Sequence, residues 1–194
     1  MLDFRALSTM EIALIAATVL LVVVCIVLYG DQKRRRTARL RTQFGGVEYA
    51  RTVKIDGDQG HAEAALEGRT RRVEGLHVRP LTVADRTLYL ASWRDVQARF
   101  VDSPAGAVAE ADHLLRDVMS ARGYPLSDFE QRADDLSVGH PVGLEDYRTA
   151  HAIAVRETQG KATTEELRQA MVYYRRLFEE LAGEPPVSVA KAGD

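Results

Sequence analysis

The chain has a single cysteine, Cys25, in 194 residues. One thiol excludes an intramolecular disulfide framework and any zinc or iron–sulfur site built from several cysteines. It also lacks a charge of one sign: 26 Lys plus Arg against 28 Asp plus Glu give a net charge of −2. That balance argues against a generally basic nucleic-acid binder and against an acidic tail protein. Alternating strand pairs joined by hairpin turns are missing, and so is any internal repeat. The phosphate-binding loop pattern, the dinucleotide-binding glycine pattern and the H-E-x-x-H zinc pattern do not occur. No serine or cysteine sits in a recognisable nucleophile elbow. With 46% hydrophobic and 28% charged residues the composition is that of a folded chain, too apolar for wholesale disorder.

What is present is unevenly distributed. Ile12 to Tyr29 is a run of 18 residues without a charge. As a helix it extends ~27 Å, close to the hydrocarbon thickness of a bilayer. The run predicts a membrane span. It reads as an uncleaved anchor rather than a signal peptide: Asp3 and Glu11 offset Arg5, and no small-x-small cleavage site follows. Val22, Val23 and Val24 ahead of Cys25 lack the small residue of a lipoprotein site. Cys25 lies within the span and is no nucleophile for soluble substrates.

Beyond Tyr29 stand Lys33, Arg34, Arg35, Arg36, Arg39 and Arg41, with Asp31 as the one acidic residue among them. The positive-inside rule then places the C-terminal part in the cytoplasm and the N-terminus outside the cell membrane. The same basic cluster suits anionic lipid headgroups, at ~1 kcal/mol per residue. Without an aromatic platform it does not read as a nucleic-acid site. Residues 31–79 carry a net +5 and residues 80–194 a net −6. Arginine outnumbers lysine 22 to 4, a composition of high-GC bacterial genomes.

The remainder reads as helices. Gly45 and Gly46 break the juxtamembrane stretch, and residues 56–60 form a turn. His61 to Leu76 predicts an exposed helix ended by Pro80. Thr82 caps a helix carrying Tyr89, Trp93, Val96 and Phe100 on one face. Ser103-Pro104 opens the next, with Val108, Ala111, Leu115 and Val118. Ser127 with Glu130 predicts a capping box for a short helix through Leu136. Leu144, Tyr147, His151 and Ala154 mark another, ending near Gly160. Thr163 with Glu166 opens the most regular, striped by Leu167, Ala170, Met171, Tyr174, Leu177, Phe178 and Leu181. The expected class is all-α: residues 1–11 a short flank, 12–29 a transmembrane helix, 30–79 a basic helical linker, 80–182 a soluble domain of about five to six helices, and 183–194 a disordered tail.

Candidate chemistry is sparse. Glu110 and His113 make one E-x-x-H pair, where a di-iron bundle needs two. Asp56, Asp58 and Glu67 match positions of a calcium loop, but Gly60 and His61 fail it at constrained positions. Asp134, Asp135, His140 and His151 are the residues an unrecognised active site would use. Trp93, Tyr147, Tyr173 and Tyr174 are spaced as core rather than as a binding surface. No cofactor and no metal is implied.

The stretch W-R-D-V-Q-A-R-F-V-D-S-P from Trp93, V-M-S-A-R-G-Y-P from Val118, D-F-E-Q-R-A-D-D-L-S-V from Asp128 and L-R-Q-A-M-V-Y-Y-R-R-L-F-E-E-L from Leu167 together resemble an uncharacterised family of bacterial single-pass membrane proteins. The resemblance covers residues 80–182 and implies a bacterial origin, one N-terminal membrane segment and no assigned activity. The sequence therefore predicts a membrane-anchored helical interaction or scaffold protein. Its partners are the lipid bilayer and a protein, with a homo-oligomer compatible and no nucleic acid. A tethered enzyme and an anionic-lipid sensor are the alternatives.

Overall fold

The computed structural model describes residues 9–125 and 127–183. Seven helices occur there, and no strand among the described residues. The expected flank lies largely, and the expected tail almost wholly, outside the described residues. The chain divides into two units, 1–42 and 43–194.

The first unit is the leading part of helix α1 (Thr9–Asp56). Its apolar side chains from Ala13 to Tyr29 are exposed, so this is a helix long and apolar enough to cross a membrane, with none of that surface buried within the protein. Within the run Thr18 donates its hydroxyl to the Leu14 carbonyl, which satisfies it without a partner from outside the helix. Lys33, Arg34, Arg35, Arg36, Arg39 and Arg41 are all exposed on the same helix. Arg35 pairs with Asp31 at 2.8 Å.

The second unit begins with the end of α1. Gly45 interrupts that helix at φ 74° and ψ 159°, a conformation essentially confined to glycine. Phe44 just before it and Glu48, Tyr49 and Thr52 beyond it are buried. Helix α2 (Gln59–Glu74) follows, capped by Asp58, and buries Ala62, Glu63 and Leu66. Two expectations are corrected here. The helix expected from His61 to Leu76 is not wholly exposed, and residues 43–79 are not a linker ahead of a domain starting at 80. They belong to the compact unit, with α2 packed on α5. The reason is that polar groups carry much of this packing: Arg69 and Arg72 of α2 reach Asp134 and Asp135 of α5, each at 2.8 Å. Buried Glu63 accepts from Tyr49 and Gln59 at 2.9 and 2.8 Å, a face that apolar periodicity does not mark.

The remaining helices are α3 (Val83–Arg99), α4 (Pro104–Ala121), α5 (Phe129–Gly139), α6 (Pro141–Glu157) and α7 (Thr164–Gly183). Thr82 caps α3 by accepting from the Asp85 amide. Thr163 and Glu166 exchange hydrogen bonds at the start of α7, as their spacing predicts. Helix α5 departs from expectation by one residue. Its cap is Asp128, which accepts from the Gln131 amide at 2.9 Å, and the helix runs past Leu136 to Gly139. Ser127 lies outside it, its carbonyl taken by Arg132 and its hydroxyl buried.

Helix α7 packs on α3, α4 and α6, so its stripe is the centre of the core. All seven stripe residues are buried. Trp93 stacks on Phe178 with ring centroids 4.7 Å apart and planes 16° apart. Tyr147 and Tyr174 are fully buried. A stack of this kind adds about 0.5–1.5 kcal/mol to the burial of the rings themselves.

Candidate functional site

The second unit contains two polar clusters, and both draw on helices far apart in sequence. The first is ionic. Glu48 on α1 is only 6% exposed, which a carboxylate tolerates only when paired. Its partners are Arg69 on α2 at 2.7 Å and Arg148 on α6 at 3.3 Å. Both arginines also reach Asp134 on α5, at 2.8 and 3.6 Å. Arg148 further holds Glu130 at 3.0 Å. Burial pushes the Asp134 carboxyl above the ordinary carboxylate range, and Glu48 adds to this. Arg69, Arg148 and Arg72 pull it down without cancelling the rise. The next residue, Asp135, is almost fully buried and takes Arg72 at 2.8 Å.

The second cluster lies where α4, α6 and α7 meet. Asp112 on α4 accepts from the Tyr174 hydroxyl at 3.3 Å. Arg116, one turn on, is 3.3 Å from its other oxygen. His151 of α6 brings Nδ1 to 3.8 Å from Asp112. The imidazole is stacked on Phe129, with centroids 3.6 Å apart and planes 8° apart. Burial alone would raise the Asp112 carboxyl, but His151, Arg116 and Arg132 outweigh it and hold it below the ordinary range. Tyr174 is pushed well above the ordinary tyrosine value by burial and by the Asp112 charge beside it. Asp112 is therefore an anion fixed among donors.

Open space adjoins this cluster on two sides. A cavity of about 410 Å³ lies between α4 and α6, with Asp112, Arg116 and His151 in its lining. A second, of about 550 Å³, is lined by Arg51, Glu130, Arg148, Phe129 and His151. His151 thus borders both.

The four residues named for an unrecognised active site are not brought together. Asp134 belongs to the Arg69–Arg148 cluster and Asp135 to Arg72. His140, buried at the start of α6, pairs with Glu180 of α7 at 3.0 Å. His151 sits beside Asp112. Each faces a different set of side chains, so the fold does not gather the four. Half-buried Glu110 and exposed His113 pair with Arg99 and Asp117, each at 3.1 Å. Asp58 spends its carboxylate on the α2 cap. No group of three or more metal-ligating side chains is gathered among the described residues. Of the four aromatics, Trp93, Tyr147 and Tyr174 are core, and half-buried Tyr173 has the Arg176 guanidinium 5.8 Å above its ring.

Sequence reasoning missed Asp112, Arg116, Glu48 and Arg148. A partial signal existed for Asp112, which falls one residue after Ala111 on a helix whose apolar face is plain. For Glu48 there was none, because its partner Arg148 is 100 residues away. The chain matches no family model, no curated protein and no solved structure.

Proposed function

We propose that the chain is a membrane-tethered interaction module: α1 crosses the bilayer over residues 12–29, and the helical unit from Gln43 onward engages a protein partner from the cytoplasmic side. The observation that carries this reading is the apolar face of α1, exposed throughout from Ala13 to Tyr29. Surface of that kind is stable only against lipid or another apolar partner. The exposed basic cluster from Lys33 to Arg41 supports the orientation. Tethering acts by confining the helical unit to a surface, which raises its effective concentration towards partners there. The paired side chains of Glu48, Asp134 and His140 tie α1, α2, α5, α6 and α7 to one another, which is what a rigid binding body requires.

The test uses the full chain with reporters fused to its C-terminus. A reporter that is active only inside the cell is expected to work, and one that is active only outside is expected to stay silent. Replacing residues 12–29 by an unrelated apolar helix of equal length, with Lys33–Arg41 kept, is expected to rescue a strain lacking the chain. Deleting the span abolishes rescue, while His140→Gln and His151→Gln retain it. An active external reporter overturns the orientation. Rescue by the anchorless protein, lost on a single folded histidine substitution, overturns the module in favour of an enzyme.

A further inference from the structure

We propose that the cavity between α4 and α6 binds a small uncharged amphiphile, an apolar body bearing one hydrogen-bond-accepting oxygen of the carboxamide type. The cavity's volume of about 410 Å³ falls in the range of small-molecule sites, which are mostly apolar with a few convergent polar groups. Its walls are Ala105, Val108 and Ala109 of α4 with Ala154 and Val155 of α6. Three alanines across the two facing helices leave the space that larger side chains would fill.

The polar part of the lining specifies the head group. Arg116 Nε, 3.3 Å from Asp112 Oδ2, and His151 Nδ1, 3.8 Å from Asp112 Oδ1, are buried beside that carboxylate but make no aligned hydrogen bond to it or to any other group. Buried polar atoms are seldom left so, and two adjoining one cavity point to a partner that enters it. A guanidinium nitrogen only donates, so the missing partner must accept. Charge then excludes the simplest acceptor, a carboxylate. Asp112 lies 3.3 Å from Arg116 and offsets it, and Glu157 adds a second negative group to the lining. An anion would meet two carboxylates against one guanidinium. An ammonium would suit those carboxylates but would leave Arg116 Nε without an acceptor and set two cations together. An uncharged carbonyl satisfies Arg116, and an amide N–H beside it can donate to Asp112, which is held ionised. His151 offers a donor or an acceptor at Nδ1 according to its tautomer.

The test uses the full chain in lipid nanodiscs with methyl-labelled alanine and valine, titrated with hexanamide, hexanoate or hexylammonium. Hexanamide is expected to move the Ala109, Ala154 and Val155 methyl signals saturably. The two charged probes are expected to bind at least about tenfold more weakly, the scale of one unmatched hydrogen bond to a charged group. Arg116→Met keeps the aliphatic stem and removes the donor, and is expected to weaken hexanamide by a factor of about ten. Val155 is 45% exposed, so Val155→Trp covers the cavity from the surface and is expected to abolish the shifts while methyl signals elsewhere stay in place. The proposal is overturned if hexanamide gives no saturable shift, as when water alone fills the cavity. It is equally overturned if hexanoate binds as tightly as hexanamide, or if Val155→Trp leaves the shifts unchanged.

Discussion

Two aspartates in partly buried ion clusters carry opposite pH signatures, because different forces dominate each. Asp112 is held below the ordinary carboxylate range by His151, Arg116 and Arg132 against its burial. Between its folded and unfolded values the unfolded chain binds more protons, so stability rises with pH there. Its contribution is present above the unfolded value of about 4 and is lost as pH falls through the lower folded one. Asp134 is held above that range by burial, which Arg69 and Arg148 do not offset. Here the folded chain binds more protons, so stability falls as pH rises from about 4 through the folded value. Urea unfolding of the full chain across that window checks this. The destabilisation caused by Asp112→Asn is expected to grow with pH, and that of Asp134→Asn to shrink. Slopes of the same sign for both variants would show that a single factor, such as net charge, governs acid sensitivity. Neither environment is visible in the sequence, since Arg69 and Arg148 reach Asp134 from α2 and α6.

Helix starts were legible at α3 and α7. Thr82 with Asp85, and Thr163 with Glu166, form the hydrogen bonds their three-residue spacing requires. At α5 two good caps stand side by side, and the chain uses Asp128. Arg132, in the first turn of α5 itself, takes the Ser127 carbonyl, and the Ser127 hydroxyl is buried. Asp128→Ala is expected to cost ~0.5–2 kcal/mol, the usual value of a lost N-cap. Ser127→Ala is expected to fall within about 0.5 kcal/mol of zero, because it removes a buried hydroxyl that has no partner. Chemical denaturation of the two variants decides the cap, and a larger loss for Ser127→Ala would restore the capping box read from sequence. The periodic stripe of α7 was equally plain, since every residue needed to recognise it lies within one helix.

For the molecule as a whole, the α7 stripe sets stability because α3, α4 and α6 all close on it. Phe178 is fully buried and stacked on Trp93. Phe178→Ala is expected to lower stability by ~3–5 kcal/mol, a large share of a typical ~5–15 kcal/mol total. Thermal unfolding followed by circular dichroism reads this as a marked fall in Tm, while Arg175→Ala on the exposed face of the same helix leaves Tm nearly unchanged. An unchanged Tm for Phe178→Ala would mean that the stripe is a surface, and the interaction module would then have its docking face there.

The amino-acid sequence by itself determined the all-α class, the uncharged run from Ile12 to Tyr29, the faces of α3, α4, α6 and α7, and the caps of α3 and α7. These depend on residues within one or two helical turns of each other, so hydrophobic period and capping chemistry reveal them directly. Only the tertiary structure decided that Phe44 to Thr52 and α2 belong to the compact unit. It also separated Asp134, Asp135, His140 and His151 among different partners, and it opened a cavity beside Asp112, Arg116 and His151. The period of a helix tells which face is buried but not which helix covers it. Charges that meet across 63 or 100 residues of chain leave no trace in local pattern, and a cavity depends on how two helices are spaced.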